Sequence, residues 1–193
     1  MKLLLTGTIV GASIIALTPL AANAASFSFT STLNGAQENP PVNTPATGTA
    51  KGTLTGGPGS WVFNYVVNYS GLQGVITRPF AHIHNAPIGV NGPVVHDLDK
   101  ANTAPIAGST AGTITGDWRF DDPTRPLTDA LAQQLLNGNT YFNIHTSRFP
   151  GGEIRGQIKA VPEPPTQLGF LALTAWGISW QFKRYKQKQK LAA

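Results

Sequence analysis

The chain has 193 residues, enough for one domain but short for two. Only 12% of the residues are charged, while 21 are glycine and 15 are proline, and this composition argues against coiled coils, helical bundles and highly charged disorder. Because cysteine is absent, disulfide frameworks, thiolate metal sites, iron–sulfur clusters and cysteine nucleophiles are excluded.

The net charge of +5 comes from the ends of the chain. Five basic residues lie within positions 183–190 and one is Lys2, whereas residues 25–160 carry eight basic and eight acidic side chains. A neutral central region offers no basic stripe for a phosphate backbone. The composition therefore predicts no nucleic-acid partner.

The N-terminal segment, positions 1–24, has the pattern of a secretory signal peptide. Lys2 gives a positive start, residues 3–17 are apolar, and Ala22-Asn23-Ala24 supplies small residues for cleavage. We expect signal peptidase to release a mature chain that begins at Ala25. An uncleaved N-terminal anchor is the alternative.

Residues 25–160 show repeated period-two alternation between glycine and proline turns, which predicts short β-strands. The clearest strand has Trp61 and Tyr69 at the two ends of an aromatic face. One helix is predicted over residues 127–137, with Thr128 as its N-cap and Gly138 ending its last turn. About eight strands with one helix and no βαβ alternation predict a mainly β protein, specifically an antiparallel β-sandwich. The strand-like runs are residues 27–33, 47–54, 61–69, 79–84, 93–98, 110–120, 140–146 and 153–159.

The C-terminal segment, positions 161–193, combines Pro162-Glu163-Pro164, an apolar stretch at 168–182 and the basic cluster. A helix over residues 167–182 would be about 24 Å long, so it would span a bilayer core of about 30 Å only marginally. We predict a membrane helix with its basic end in the cytoplasm, with a soluble amphipathic helix as the alternative.

These three parts, in this order, resemble the bacterial PEP-CTERM sorting signal. The resemblance implies transit through the inner membrane, processing by an exosortase-type protease, and release or transfer to the cell envelope or extracellular space. Residues 161–193 would then be a sorting segment with a membrane helix and a basic tail.

Four histidines are the main candidates for chemistry: His82, His84, His96 and His145. In a strand, His82 and His84 share one face about 7 Å apart, and a third imidazole from a neighbouring strand would complete a transition-metal site. His145 is the best third ligand and His96 a fourth, while Asp97 or Asp99 could add an oxygen. Copper and zinc are the candidate metals. The alternative is structural: each ring simply hydrogen-bonds to a carbonyl or carboxylate.

No catalytic constellation is evident in the sequence. It contains neither a G-x-S-x-G elbow nor a phosphate-binding loop. Glu153 and Arg155 lie two positions apart on one predicted strand face, which predicts a structural ion pair or a polar ladder. An enzymatic activity is therefore not the favoured interpretation.

Several separated blocks, in the correct order, resemble the CHRD (chordin) domain family over residues 27–158. The resemblance implies an extracellular β domain, here in a single copy without the cysteine-rich modules of chordin, so the growth-factor binding of chordin is not carried over. The blocks are LNGAQENPP at 33–41, AHIH at 81–84 with Gly89 and GPVV at 92–95, YFNIHT at 141–146, and FPGGEIRGQI at 149–158.

Two interpretations follow for function. The first is an exported, non-enzymatic binding or structural module at the cell envelope or in the extracellular matrix, with a polysaccharide or a protein as ligand. The second is a metalloprotein in which histidines hold copper or zinc for redox or hydrolytic chemistry. A His-x-His pair on a β fold is similar to copper–zinc superoxide dismutases, but this chain lacks their disulfide cysteines.

Overall fold

A computed structural model describes residues 25–98 and 108–162. The predicted signal peptide, Asp99, Glu163, Pro164 and the predicted membrane helix lie outside the described residues. Within them, no helix is both long enough and apolar enough to cross a membrane.

The described chain is mainly β, antiparallel throughout, with one α-helix, as the sequence predicts. A short 3-10 turn, Gly35–Gln37, follows the first strand, and the helix α1 is Asp129–Leu136. The strands are β1 Ala25–Asn34, β2 Thr47–Gly56, β3 Val62–Ser70, β4 Ile76–Asn85, β5 Val94–Asp97, β6 Gly112–Arg119, β7 Thr140–Thr146, β8 Ile154–Gln157 and β9 Lys159–Ala160.

The strands form one sheet rather than the two separate layers of the predicted sandwich. Their order is β5-β4-β7-β8-β1-β2-β3-β6, with β9 beside β1. The two halves join where β8 meets β1 through the single pair Asn34 and Arg155. Because the long β1–β2–β3 strands twist and curl, the halves face each other and the sheet becomes nearly closed and barrel-like.

Side chains from both halves fill the space between them. Tyr65 on β3 contacts Phe142 on β7, with ring centroids 5.9 Å apart. The two edge strands approach each other where His96 on β5 stacks on Trp118 of β6 at 5.5 Å. Closure at this seam therefore depends on side-chain packing between β5 and β6.

The aromatic alternation predicted for the third strand is confirmed. Phe63, Tyr65, Val67 and Tyr69 are buried, while the intervening residues face outward. The helix is eight residues long, shorter than predicted, because Thr128 keeps an extended backbone and caps it by accepting a hydrogen bond from the Leu131 N–H at 3.3 Å. Gly138 has a φ of +73° just past the helix end, as expected for a C-terminal glycine.

Strand β7 is buried along its whole length, which positions the candidate site. Phe142 and Ile144 face the hydrophobic core, and Tyr141, Asn143 and His145 face the opposite side. That side is covered by polar loops instead of solvent. The strand thus separates an apolar core from a buried polar layer.

Candidate metal centre

Three of the four histidines meet in the polar layer. His82 and His84 lie on the same face of β4. Ile83, between them, and Ala81, before them, are completely buried in the core. The β4–β7 register pairs His82 with Asn143, so His145 lies two positions further along the neighbouring strand. The predicted set of His82, His84 and His145 is therefore brought together.

The geometry of their nitrogens suits a common ion. One ring nitrogen from each histidine lies within 4.8 Å of the other two. The Nδ1 of His82 and the Nε2 of His145 are 3.2 Å apart. Ligand nitrogens at about 2.0–2.1 Å from a tetrahedral ion are about 3.3 Å apart, so one pair already has this spacing.

Backbone carbonyls fix the tautomers of two of the rings. His84 Nδ1 lies 2.9 Å from the Gly92 carbonyl oxygen, and His145 Nδ1 lies 2.9 Å from the Pro150 carbonyl oxygen. Because a carbonyl oxygen only accepts, both Nδ1 atoms carry the proton. The Nε2 atom of each ring is therefore unprotonated: that of His145 lies 3.2 Å from His82 Nδ1, and that of His84 is buried with no hydrogen-bond partner among the described residues. Metal-binding histidines commonly donate their other ring N–H to a carbonyl oxygen in this way.

The third ring, His82, has a different pair of neighbours. Its Nε2 is 3.7 Å from Asp97 Oδ1, while its Nδ1 donates to the lone pair of His145 Nε2. A shift of the proton from Nδ1 to Nε2, toward Asp97, would turn Nδ1 into a third ligand. Asp97 therefore faces the nitrogen opposite the site, and the structure does not bring this predicted oxygen ligand into the group of three histidines.

Burial keeps the cluster neutral at pH 7. It lowers the pKa of His82 to about 4, with the charges of His145 and His84 acting in the same direction. It also lowers the pKa of His84 and of His145, against the opposing hydrogen bonds to Gly92 and Pro150. Neutral imidazole is the form that binds metals.

His96 does not join the site. The β4–β5 register pairs it with Ile83, so it lies on the core face, opposite to His82 and His84. There its Nε2 lies 3.0 Å from the Tyr65 hydroxyl. The structure therefore does not bring His96, the predicted fourth ligand, to the other three histidines, and the reason is strand register.

Tyr141 and Gly92 hold His84 in place. The Tyr141 ring stacks on His84 with 4.8 Å between centroids, and its hydroxyl accepts a hydrogen bond from the Gly92 N–H at 3.2 Å. The same glycine accepts from His84 through its carbonyl. A Cβ on Gly92 would overlap the Asn85 carbonyl oxygen, so this close approach requires glycine.

A second polar group, Arg155, packs against Tyr141, and its contacts there were not predicted from the sequence. The Arg155 guanidinium lies over the other face of the Tyr141 ring at 3.4 Å and is only 1% exposed. It donates to Asn91 Oδ1 at 3.1 Å and to the Val90 carbonyl at 2.7 Å. Arg155 therefore anchors the loop that presents Gly92 to His84.

Glu38 lies near Arg155 and lines a cleft of about 330 Å³ with it. Its Oε1 is buried and has no hydrogen-bond partner among the described residues. Gly152, with a φ of +127°, separates this oxygen from Asn143: a Cβ there would lie 2.6 Å from Glu38 Oε1 and from Asn143 Oδ1. Only glycine fits this position.

The predicted ion pair of Glu153 with Arg155 does not form. Glu153 instead accepts hydrogen bonds at 2.7 Å from three donors in its surroundings, the Thr44 hydroxyl, the Thr146 hydroxyl and the Gln73 N–H. It is a buried carboxylate with a structural role.

Comparison with known proteins agrees with this fold and these motifs. A family model for the CHRD domain matches residues 29–158, about two thirds of the chain. The chain belongs to the CHRD domain family. The CHRD match begins within β1, ends after β8 and includes all three clustered histidines, while both predicted sorting segments lie outside it. No curated protein and no solved structure gives a significant match.

Proposed function

We propose that this CHRD protein is an exported, non-enzymatic module that binds a transition-metal ion through His82, His84 and His145. The observation that carries the proposal is the convergence of three imidazole nitrogens within 4.8 Å of one another. Carbonyl acceptors on two of the rings aim the unprotonated nitrogens inward, and Asp97 faces the Nε2 atom to which the proton of the third ring would move. Copper and zinc are the metals that such an imidazole set suits.

Burial supports binding rather than catalysis. The three rings are only 6 to 9% exposed, so a bound ion would be covered by protein. Catalytic metal sites keep an open position for water or substrate, and structural sites are closed. The loops that supply Gly92 and Pro150 cover the polar layer, so an ion there would fix both loops to the sheet.

Metal analysis tests this function. The full chain without a histidine tag, incubated with copper or zinc sulfate and dialysed, is expected to retain about one equivalent of metal. His84→Gln should lower this to less than about a tenth of an equivalent, since it replaces one of only three ligands. Plasma mass spectrometry gives the metal content.

His96→Gln is the matched control, because it makes the same change at a buried histidine on the core face. It should retain the wild-type stoichiometry, with folding of each variant checked by circular dichroism. A wild-type protein without metal, or equal metal in His84→Gln, would contradict the proposed site.

The export part of the proposal rests on the two ends of the chain. The signal-peptide pattern at 1–24 and the PEP-CTERM-like segment at 161–193 support passage through the inner membrane and delivery to the envelope. The PEP motif begins at Pro162, which is exposed immediately after β9. A protease could therefore reach it without unfolding the sheet.

Processing predicts a shortened mature protein. In cells with an exosortase-type protease, the intact mass of the envelope form should lack residues 1–24 and a C-terminal piece that includes the basic cluster. Replacing Glu163 by Ala should leave the C-terminal piece attached. Recovery of wild-type protein extending to Ala193 from the envelope would exclude processing.

A further inference from the structure

We infer that the histidine site, if it binds metal as proposed above, takes the monovalent soft ion Cu(I) in preference to Zn²⁺. The inference rests on the number of ligands, on their neutrality and on the charges that surround them. Each of these favours a monovalent ion over a divalent one.

The first argument is the ligand count. Among the described residues, the ligating group consists of three histidines and includes no carboxylate. Structural zinc sites fill four positions with protein ligands, whereas catalytic ones add a water to three. In the part of the chain that the structure describes, the group has no fourth protein ligand, and the rings are almost fully covered. Cu(I), a d¹⁰ ion that is stable with three ligands, needs neither a fourth side chain nor a water.

The second argument is the charge of the ion. The cost of transferring an ion from water into a protein grows with the square of its charge, so a divalent ion in a buried site costs about four times as much as a monovalent one. Zinc sites often offset this cost with thiolate or carboxylate ligands. Three neutral imidazoles provide no such offset.

The third argument is the surrounding field. The Asp97 carboxylate, whose Oδ1 lies 3.7 Å from His82 Nε2, is already paired with Arg125, whose Nε lies 3.2 Å from its Oδ2. On the opposite side, Arg155 is separated from His84 by the thickness of the Tyr141 ring. The two guanidinium groups thus disfavour a divalent ion more than a monovalent one.

Competition titrations test the preference. The full chain is titrated without oxygen against the Cu(I) complex of bicinchoninate, and separately against Zn²⁺ with a chromophoric chelator. We expect a Kd for Cu(I) at least about a hundredfold lower than for Zn²⁺. X-ray absorption of the Cu(I) form should show three nitrogen neighbours.

The outcomes separate the two proposals. Equal or tighter binding of Zn²⁺ would overturn the Cu(I) preference and leave the metal-binding function standing. Failure of both ions to bind would overturn the function as well.

A charge variant tests the electrostatic argument separately. Arg125→Gln removes the positive charge that is paired with the Asp97 carboxylate, so the negative charge of Asp97 is no longer compensated. The affinity for Zn²⁺ should then rise about tenfold and the affinity for Cu(I) by less. Arg125 is partly exposed, which favours a folded variant. Arg148→Gln, at an exposed arginine, is the matched control and should change neither affinity. If the ratio of the Kd values for Zn²⁺ and Cu(I) is the same in Arg125→Gln as in the wild type, the role of the surrounding charges is refuted.

Discussion

Replacing Glu38 by Gln is expected to stabilise the folded protein by about 3 kcal/mol at pH 8 and to leave its stability unchanged near pH 4.5. Glu38 is 7% exposed, and burial raises its pKa from 4.5 to about 7, despite the attraction of Arg155. Between these two values the folded protein holds a proton that the unfolded chain has released. The folded state therefore loses stability as the pH rises from 4.5 to 7, and the full cost is present above pH 7.

Urea unfolding of both proteins at pH 4.5 and at pH 8 measures this effect. The lowered pKa values of His82, His84 and His145 also make stability depend on pH, but their contribution is the same in both proteins and cancels in the difference. Glu153→Gln is the matched control: its carboxylate has three hydrogen-bond donors, so the variant should be destabilised at pH 8. A Glu38→Gln variant that is less stable than wild type at pH 8 would show that Glu38 is stabilised by its surroundings.

Replacing Arg155 by Lys is expected to lower the free energy of unfolding by about 3 kcal/mol, although the charge is kept. The guanidinium makes three hydrogen bonds to the 87–92 loop, at 2.7, 3.1 and 3.5 Å, and stacks on Tyr141. The ammonium of lysine is a compact point charge, so it cannot donate to these separate acceptors and also stack on the Tyr141 ring. The Val90 carbonyl and Asn91 Oδ1 would then lose their donor, and these unpaired acceptors account for most of the lost free energy of unfolding.

Chemical denaturation compares this variant with Arg148→Lys, an exposed arginine whose replacement should change stability by less than about 0.5 kcal/mol. Because the 87–92 loop leads to Gly92, Arg155→Lys should also weaken metal binding at His84. An Arg155→Lys variant as stable as the Arg148→Lys control would mean that the loop does not depend on Arg155.

Much of the local structure could be predicted because it depends on short-range patterns. Alternation identified the buried face of the strand that carries Phe63 and Tyr69, and the cap at Thr128 placed the helix. The prediction of two layers was incomplete because period-two patterns identify faces but carry no information on which strands pair. The single pair between Asn34 and Arg155, which turns two layers into one sheet, has no sequence pattern of its own.

In the candidate site, too, local spacing could be predicted from the sequence and long-range contacts could not. His82 and His84 were predicted to share a face, since residues two apart in a strand do so whatever the fold. The structure brings His145 to this pair and leaves His96 on the core face, because the register that pairs His96 with Ile83 is set by the packing of β5. Arg155 was assigned to the wrong partner for a similar reason: its acceptors, Val90 and Asn91, lie in a loop that is distant along the chain.

The sequence alone determined the CHRD motifs, the neutral central region, the absence of sulfur chemistry and the alternation that places two imidazoles side by side. These are properties of composition and of spacing within one segment. The tertiary structure decided which histidine becomes the third member, which carbonyl oxygens fix the tautomers, and how thoroughly the site is covered. Such features arise only when strand register and loop packing bring distant backbone groups within hydrogen-bonding distance, and these long-range contacts are determined by the whole folded chain.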